Sequence, residues 1–258
     1  MRRCAFLIVV IAVLLWAGCG SSDKPSAMSF SPSSLSVVAG ESQQLTPIAS
    51  DSKGNIVSTN FAVDYASSDT SIADVNTSGY VCAGHWDNDT AATPGACHPT
   101  TCTQPCVATI TGVIQGEKIT GQLTVMVHPR VAAVVISPPA TNCISSGGSS
   151  YAVTACAAPG TATGSQGACA SGYVDITSQV WMAATSTTPA VSPFGWVVTP
   201  STAASVDTSG ATCTQGYVCK ITATTSNPNV IVNATFQSAP GGSTSNNVSA
   251  SLSTATCQ

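Results

Sequence analysis

Gln122-Leu123-Thr124-Val125-Met126-Val127 is the stretch that decides the fold. Leu123, Val125 and Val127 alternate with Gln122, Thr124 and Met126. Successive side chains of a strand point to opposite faces, so this period of two sets one apolar row toward a core and the other toward solvent. Phe61, Val63 and Tyr65 alternate in the same way, as do Val230, Val232, Ala234 and Phe236. Gly and Pro clusters punctuate these runs, as turns require. No long segment has helical periodicity. Short alternating strands with frequent turns predict an all-β chain built of two-sheet sandwiches. Composition agrees: only 7% of residues are charged, against about 25% in an average soluble protein. The rest is rich in Thr, Ser, Ala, Val and Gly, which suits strands and turns. A hydrophobic fraction of 43% is enough for a core. So few Lys and Arg argue against nucleic acid as a partner, since that binding rests on cations at phosphates.

The same order of signals occurs twice, on either side of His128-Pro129-Arg130. Phe30-Ser31-Pro32 matches Ile136-Ser137-Pro138. Gly40 followed by Gln44-Leu45-Thr46 matches Gly148 followed by Ala152-Val153-Thr154. Val75-Asn76-Thr77-Ser78-Gly79 matches Val206-Asp207-Thr208-Ser209-Gly210, and Ile110-Thr111-Gly112 matches Ile221-Thr222-Ala223. Two copies of one unit, at 28–128 and 129–258, are a usual size for domains. The second copy carries an insertion around Thr187 to Ala203. It also has an extra alternating run, Val248, Ala250 and Leu252, beyond the strand expected to close it at Asn229 to Gln237.

Each copy resembles a bacterial immunoglobulin-like domain of the group-two kind. The residues that carry the resemblance are the hydrophobic-x-Pro opening, an aromatic before Ser-Ser-Asp (Tyr65-Ala66-Ser67-Ser68-Asp69), the Val-x-x-x-Gly turn and the Ile-Thr strand. The second copy keeps the aromatic as Trp181 but reads Ala183-Ala184-Thr185-Ser186 after it. The resemblance implies two tandem immunoglobulin-like β-sandwiches acting as structural or adhesive units of a surface protein. It does not imply catalysis.

The first residues predict export. Arg2 and Arg3 precede an apolar run, Phe6 to Ala17, which is too short for a comfortable transmembrane helix and has the length of a signal-peptide core. Leu15-Trp16-Ala17-Gly18-Cys19 resembles the lipobox of bacterial lipoproteins, with Trp16 where that pattern usually has Leu. Residues 1–18 are therefore expected to be a cleaved signal peptide. Residues 19–27 are expected to be a lipidated Cys19 and a Gly/Ser-rich tether. Acyl chains hold a protein at a bilayer without spanning it, at about 0.8 kcal/mol per buried CH₂. Gly20 rather than Asp after the cysteine implies, by resemblance to sorting rules of two-membrane bacteria, the outer membrane, with the chain facing the periplasm or the surface. The membrane is one expected partner, and a glycan or a surface protein is the other.

Of the twelve cysteines, Cys4 leaves with the signal and Cys19 is acylated, which leaves ten. An even number in an exported chain predicts disulfides. Neighbouring antiparallel strands bring side chains near disulfide reach, so Cys82–Cys106 and Cys213–Cys219 are expected, with Cys97–Cys102 closing a small loop. Cys143–Cys257 and Cys156–Cys169 are one assignment of the remaining four, since sequence alone does not fix connectivity.

The most unusual segment is Ala83 to Pro105, an insertion absent from the second copy. Trp86, Asp87, Asn88 and Asp89 are its candidate ligand-binding residues: an aromatic on a polar loop offers area at low entropy cost. The neighbouring oxygens suit sugar hydroxyls or a cation. Cys82-x-x-His85 and Cys102-x-x-x-Cys106 have tolerable zinc spacing, but an oxidising compartment favours disulfides. A calcium loop needs six or more oxygens, and this segment lacks the Gly and the distal Glu. The bland alternative is a disulfide-stapled polar loop, and no cofactor or metal is expected. No Gly-x-Ser-x-Gly elbow, His-Glu-x-x-His helix or phosphate loop occurs. From Arg130 onward the only carboxylates are Asp175 and Asp207, so acid–base chemistry has almost no players there. Residues 28–129 hold eight acids against Lys53 and Lys118. That excess would be repelled by an anionic membrane surface, within a screening length of roughly 10 Å. If Cys19 is the anchor, a Cys19→Ser variant leaves the membrane fraction and takes up no labelled fatty acid. Absence of label from the unaltered protein would refute the anchor.

Overall fold

The computed structural model describes residues 24–57, 61–87, 95–100, 102, 105–160, 165–182, 191–207, 217–238 and 246–257. The signal segment and Cys19 lie outside the described residues. The chain is all-β, and among the described residues it has one short helix, α1 (Thr177–Val180). Among the described residues no helix is long and apolar enough to cross a membrane.

In the first half, β1 (Ala27–Ser31) pairs antiparallel with β4 (Thr46–Ser50). After Pro32 the chain crosses to the opposite sheet. There β2 (Ser34–Val38) runs parallel to β11 (Thr120–His128). That sheet continues through β10 (Cys106–Ile114) to β5 (Val63–Ser67), in the order β2-β11-β10-β5. Facing it, β3 (Ser42–Gln44) extends toward β4 and pairs with β7 (Tyr80–Cys82), which pairs with β6 (Asp74–Val75). The strict alternation of β10 points Cys106, Ala108, Ile110 and Ile114 into the space between the sheets. They meet Phe30, Leu35, Leu123 and Val125 there. The Val75-to-Gly79 motif has a local cause. The buried Asn76 carboxamide accepts hydrogen bonds from the Ser78 and Tyr80 backbone N–H groups at 3.1 and 2.8 Å. Gly79 takes φ +78°, and a Cβ there would lie 2.8 Å from the Tyr65 hydroxyl.

The second half repeats this plan. One sheet runs β12 (Ala133–Ser137), β14 (Ser149–Ala157), β18 (Val218–Ala223), β17 (Ala204–Val206), with β15 (Val174–Asp175) paired to β14. The other runs β13 (Cys143–Ile144), β20 (Asn247–Thr256), β19 (Val230–Gln237), β16 (Phe194–Thr199), with β13 parallel to β20. Tyr151, Ile176, Trp196, Ile221, Val232 and Phe236 are among its core residues. Both halves are immunoglobulin-like sandwiches in which the first strand divides between the two sheets.

This topology corrects three expectations about the repeat. Ile110 sits on β10, between β11 and β5, whereas Ile221 sits on β18, between β14 and β17 in the opposite sheet. They are not equivalent, and β19 is the counterpart of β10. The run ending at Leu252 is not an extra strand: β20 pairs with β19 and β13 as β11 pairs with β10 and β2. Residues 187–203 are not a simple insertion, because they contain β16, the counterpart of β5. The matches failed because an Ile-Thr pair marks a strand but not the sheet it joins.

The face of β11 expected to meet solvent is also covered. Thr124 is 1% exposed, and Met126 and His128 are fully buried. They share that face with Ser36 and Val38 of β2, also buried. Helix α1 packs on β11, and the His128 ring meets Phe236 edge-on at 5.5 Å. The connection is clamped as well. The Asn246 carboxamide accepts from the Val131 N–H at 2.7 Å and donates to the Val131 carbonyl at 3.0 Å, and Arg130 pairs with Glu41. His128 Nδ1 donates to the Pro129 carbonyl at 2.7 Å, so Nε2 is the bare nitrogen, and it has no hydrogen-bond partner.

Burial disfavours the imidazolium of His128, and the nearby Arg130 charge adds to this, so its pKa falls from 6.5 to about 4. A depressed pKa contributes stability that is full above pH 6.5 and is lost as the pH falls toward and through 4. The whole effect is about 3 kcal/mol. A His128→Gln variant lacks it: the stability difference between wild type and variant, from urea unfolding, shrinks between pH 7 and pH 4. A constant difference would show that His128 titrates normally.

Candidate functional site

The candidate site is the insertion that leads from β7 to β10. Its walls are β8 (Gly84–Trp86) and β9 (Cys97–Pro99), an antiparallel ribbon with Gly84, His85 and Trp86 opposite Pro99, His98 and Cys97. The ribbon lies at the pole of the first sandwich where β2 and β11 end and the chain leaves for the second. Gly40 N–H donates to the Ala83 carbonyl and Ala83 N–H to the Glu41 carbonyl, at 2.8 and 2.9 Å. Glu41 in turn meets Arg130. Gly84 takes φ +139°, and a Cβ there would stand 1.8 Å from the His98 carbonyl oxygen. Only glycine permits this approach.

The disulfides differ from two expected pairs. Cys82 joins Cys97, and Cys102 joins Cys106, with Cα–Cα distances of 5.5 and 5.9 Å. Cys82–Cys106 and Cys97–Cys102 do not form. Cys82 and Cys106 are on β7 and β10, which belong to opposite sheets and are not neighbours, while the ribbon folds Cys97 back over Cys82. Elsewhere Cys143 joins Cys257 and Cys156 joins Cys169. Cys219 is disulfide-bonded, and Cys213 lies outside the described residues.

Trp86 is not on an exposed loop. It is 7% exposed, and its indole N–H donates to the Tyr80 carbonyl at 3.2 Å. Its backbone N–H donates to the buried Asp74 carboxylate at 3.3 Å, which also accepts from the Val75 N–H at 2.8 Å. The sequence signal was misleading because a three-residue strand is too short for alternation to register. Trp86 thus offers no open ring to a sugar. Asp87 is exposed and meets His98. Asn88 and Asp89 lie outside the described residues. His85, noted in the sequence only for its zinc-like spacing from Cys82, stacks with His98 on the outer face of the ribbon with ring centroids 5.3 Å apart.

No protein-family model matches the chain, and no curated protein does. The group-two resemblance therefore has no family match behind it. Among solved structures, the S-layer protein SbsC, domains 5–6, is similar over 91% of this chain and 98% of its own, at 16% identity and a TM-score of 0.29. The longer SbsC structure of domains 1–6 matches at 10% identity and a TM-score of 0.28, and the chain spans 27% of its length. The Yersinia pseudotuberculosis adhesin InvE is similar over 93% of this chain and 62% of its own, at 12% identity and a TM-score of 0.28. The architecture described above rests on the strand pairing and not on these matches.

Burial of Trp86 makes it a structural plug. Trp86→Ala should cost about 3–5 kcal/mol, as loss of a buried large aromatic does, while Trp86→Phe loses chiefly the indole hydrogen bond, at about 1 kcal/mol. Urea unfolding measures both. A loss for Trp86→Ala below about 0.5 kcal/mol, the level of an ordinary surface change, would return Trp86 to the surface.

Proposed function

We propose that this chain is a lipid-anchored, non-enzymatic module of the cell envelope. In this reading Cys19 holds it at the outer membrane, and two immunoglobulin-like domains, 28–128 and 129–258, form a structural or adhesive spacer. The observation that carries the spacer part of this proposal is the covered face of β11, while the anchor rests on the Leu15-to-Cys19 sequence. Burial of Thr124, Met126 and His128 outside the first core gives the second sandwich a fixed seat on the first. Two sandwiches joined by a bare linker would move independently, since relative motion is the default for domains without a substantial apolar interface. A seated pair suits a part that holds a surface at a set distance. The disulfides suit an oxidising, extracytoplasmic setting.

The seat is tested by ¹⁵N relaxation. The two halves of the wild type should share one rotational correlation time. Met126→Lys should give them separate, shorter ones while each half keeps its dispersed spectrum, because Met126 faces away from the first core. Independent tumbling of the wild type would overturn the rigid-spacer reading. Labelling of intact cells with a membrane-impermeant reagent, with and without Cys19→Ser, tests the placement.

A further inference from the structure

The open face of the inserted ribbon gathers three ligating side chains. Side chains alternate along a strand, so His85 and Asp87 share the face opposite Trp86. His98, directly across from His85, joins them. The imidazole rings lie at 25° to one another, and His98 Nε2 is 2.7 Å from Asp87 Oδ1. All three residues are exposed. Their face cannot turn inward. Trp86 is held beneath it by the Tyr80 carbonyl, Cys97 is tied to Cys82, and the Gly84 backbone is pressed against His98.

We propose that this face binds a late first-row divalent cation, Zn(II) or Cu(II), through the imidazoles of His85 and His98 and the carboxylate of Asp87. Imidazole nitrogen suits these ions, and a carboxylate completes a three-ligand set with open positions for water. The cysteines nearby do not compete, because Cys82, Cys97, Cys102 and Cys106 are all in disulfides. Among the described residues no three such groups are closed around an ion position. His98 and Asp87 already stand within hydrogen-bond distance, so His85 is the donor that must move to complete the set. The ion replaces the hydrogen that His98 Nε2 shares with Asp87, a proton leaves to solvent, and the exposed His85 ring swings to meet it. Calcium is a poor fit, since it prefers six or more oxygens. The bound ion would lock the two arms of the ribbon together beside Glu41 and Arg130. This inference is independent of the spacer reading.

The test is titration of the purified full-length protein with zinc chloride by calorimetry, and with copper(II) read by electron paramagnetic resonance. One ion per chain is expected, with a copper signal split by two nitrogens. His85→Asn and His98→Asn should each weaken zinc by about tenfold or more, and the double variant should abolish it, with the circular dichroism spectrum unchanged. Where a variant alters the spectrum, wild-type proton resonance decides: copper should broaden the imidazole signals of His85 and His98 and spare the buried His128. No binding up to about 1 mM zinc, the weakest range of useful affinity, would overturn the proposal. So would binding that survives the double variant, or broadening that spares His85 and His98.

Discussion

Strand β11 is buried on both faces from Leu123 to His128, and the arrangement of the whole chain hangs on that. An antiparallel sheet normally keeps one face wet. Here Leu123, Val125 and Val127 serve the first core, while Thr124, Met126 and His128 are sealed by the second half. The cost is visible in the polar atoms left there: His128 Nε2 and the Ser36 hydroxyl lack hydrogen-bond partners. A buried unpaired polar group typically costs about 1–3 kcal/mol, so the contact must be held by its apolar members and by the Asn246 clamp on Val131. Asn246 acts as a short strand would, offering one donor and one acceptor to a backbone that leaves its sheet.

Covalent ties reinforce the places where strand pairing is shortest. β13 has only two residues, Cys143 and Ile144, and Cys143 is bonded to Cys257 across a separation of 114 residues. In the chain-entropy account a loop near that length stabilises by about 4–5 kcal/mol. The tie holds the edge strand β13 against β20, where two residues of pairing alone would fray. Cys82–Cys97 does the same for the ribbon, whose two strands have three residues each. An isolated two-stranded ribbon is marginal in water. Trp86 beneath and the disulfide at its base make this one a defined surface, and that definition lets His85, His98 and Asp87 share a face.

The strands themselves were legible in the sequence, because alternation is a local property. Val230 to Phe236 and Leu123 to Val127 read as strands from their own residues and are strands. The turn at Asn76 to Gly79 was legible for the same reason, since its hydrogen bonds span four residues. The candidate site was less legible. Trp86 looked exposed among polar neighbours, but its position depends on Tyr80, Asp74 and Cys97, which no periodicity connects to it. His85 was legible as a possible zinc ligand, but beside Cys82, which is in a disulfide; only strand pairing set it opposite His98.

The sequence by itself determined that the chain is all-β, that its strands come in two similar runs and that its cysteines suit disulfides. Each of these follows from residue type and near-neighbour spacing. The tertiary structure alone decided that Ile221 and Ile110 join opposite sheets, that β20 and not β19 closes the second sandwich, that Cys82 meets Cys97, and that Met126 is covered. The physical reason is common to all four. A period of two says that a strand has two faces, but what covers each face is set by hydrogen bonds and packing between residues far apart in the chain. In a short ribbon or at a junction, those distant partners outweigh the local pattern.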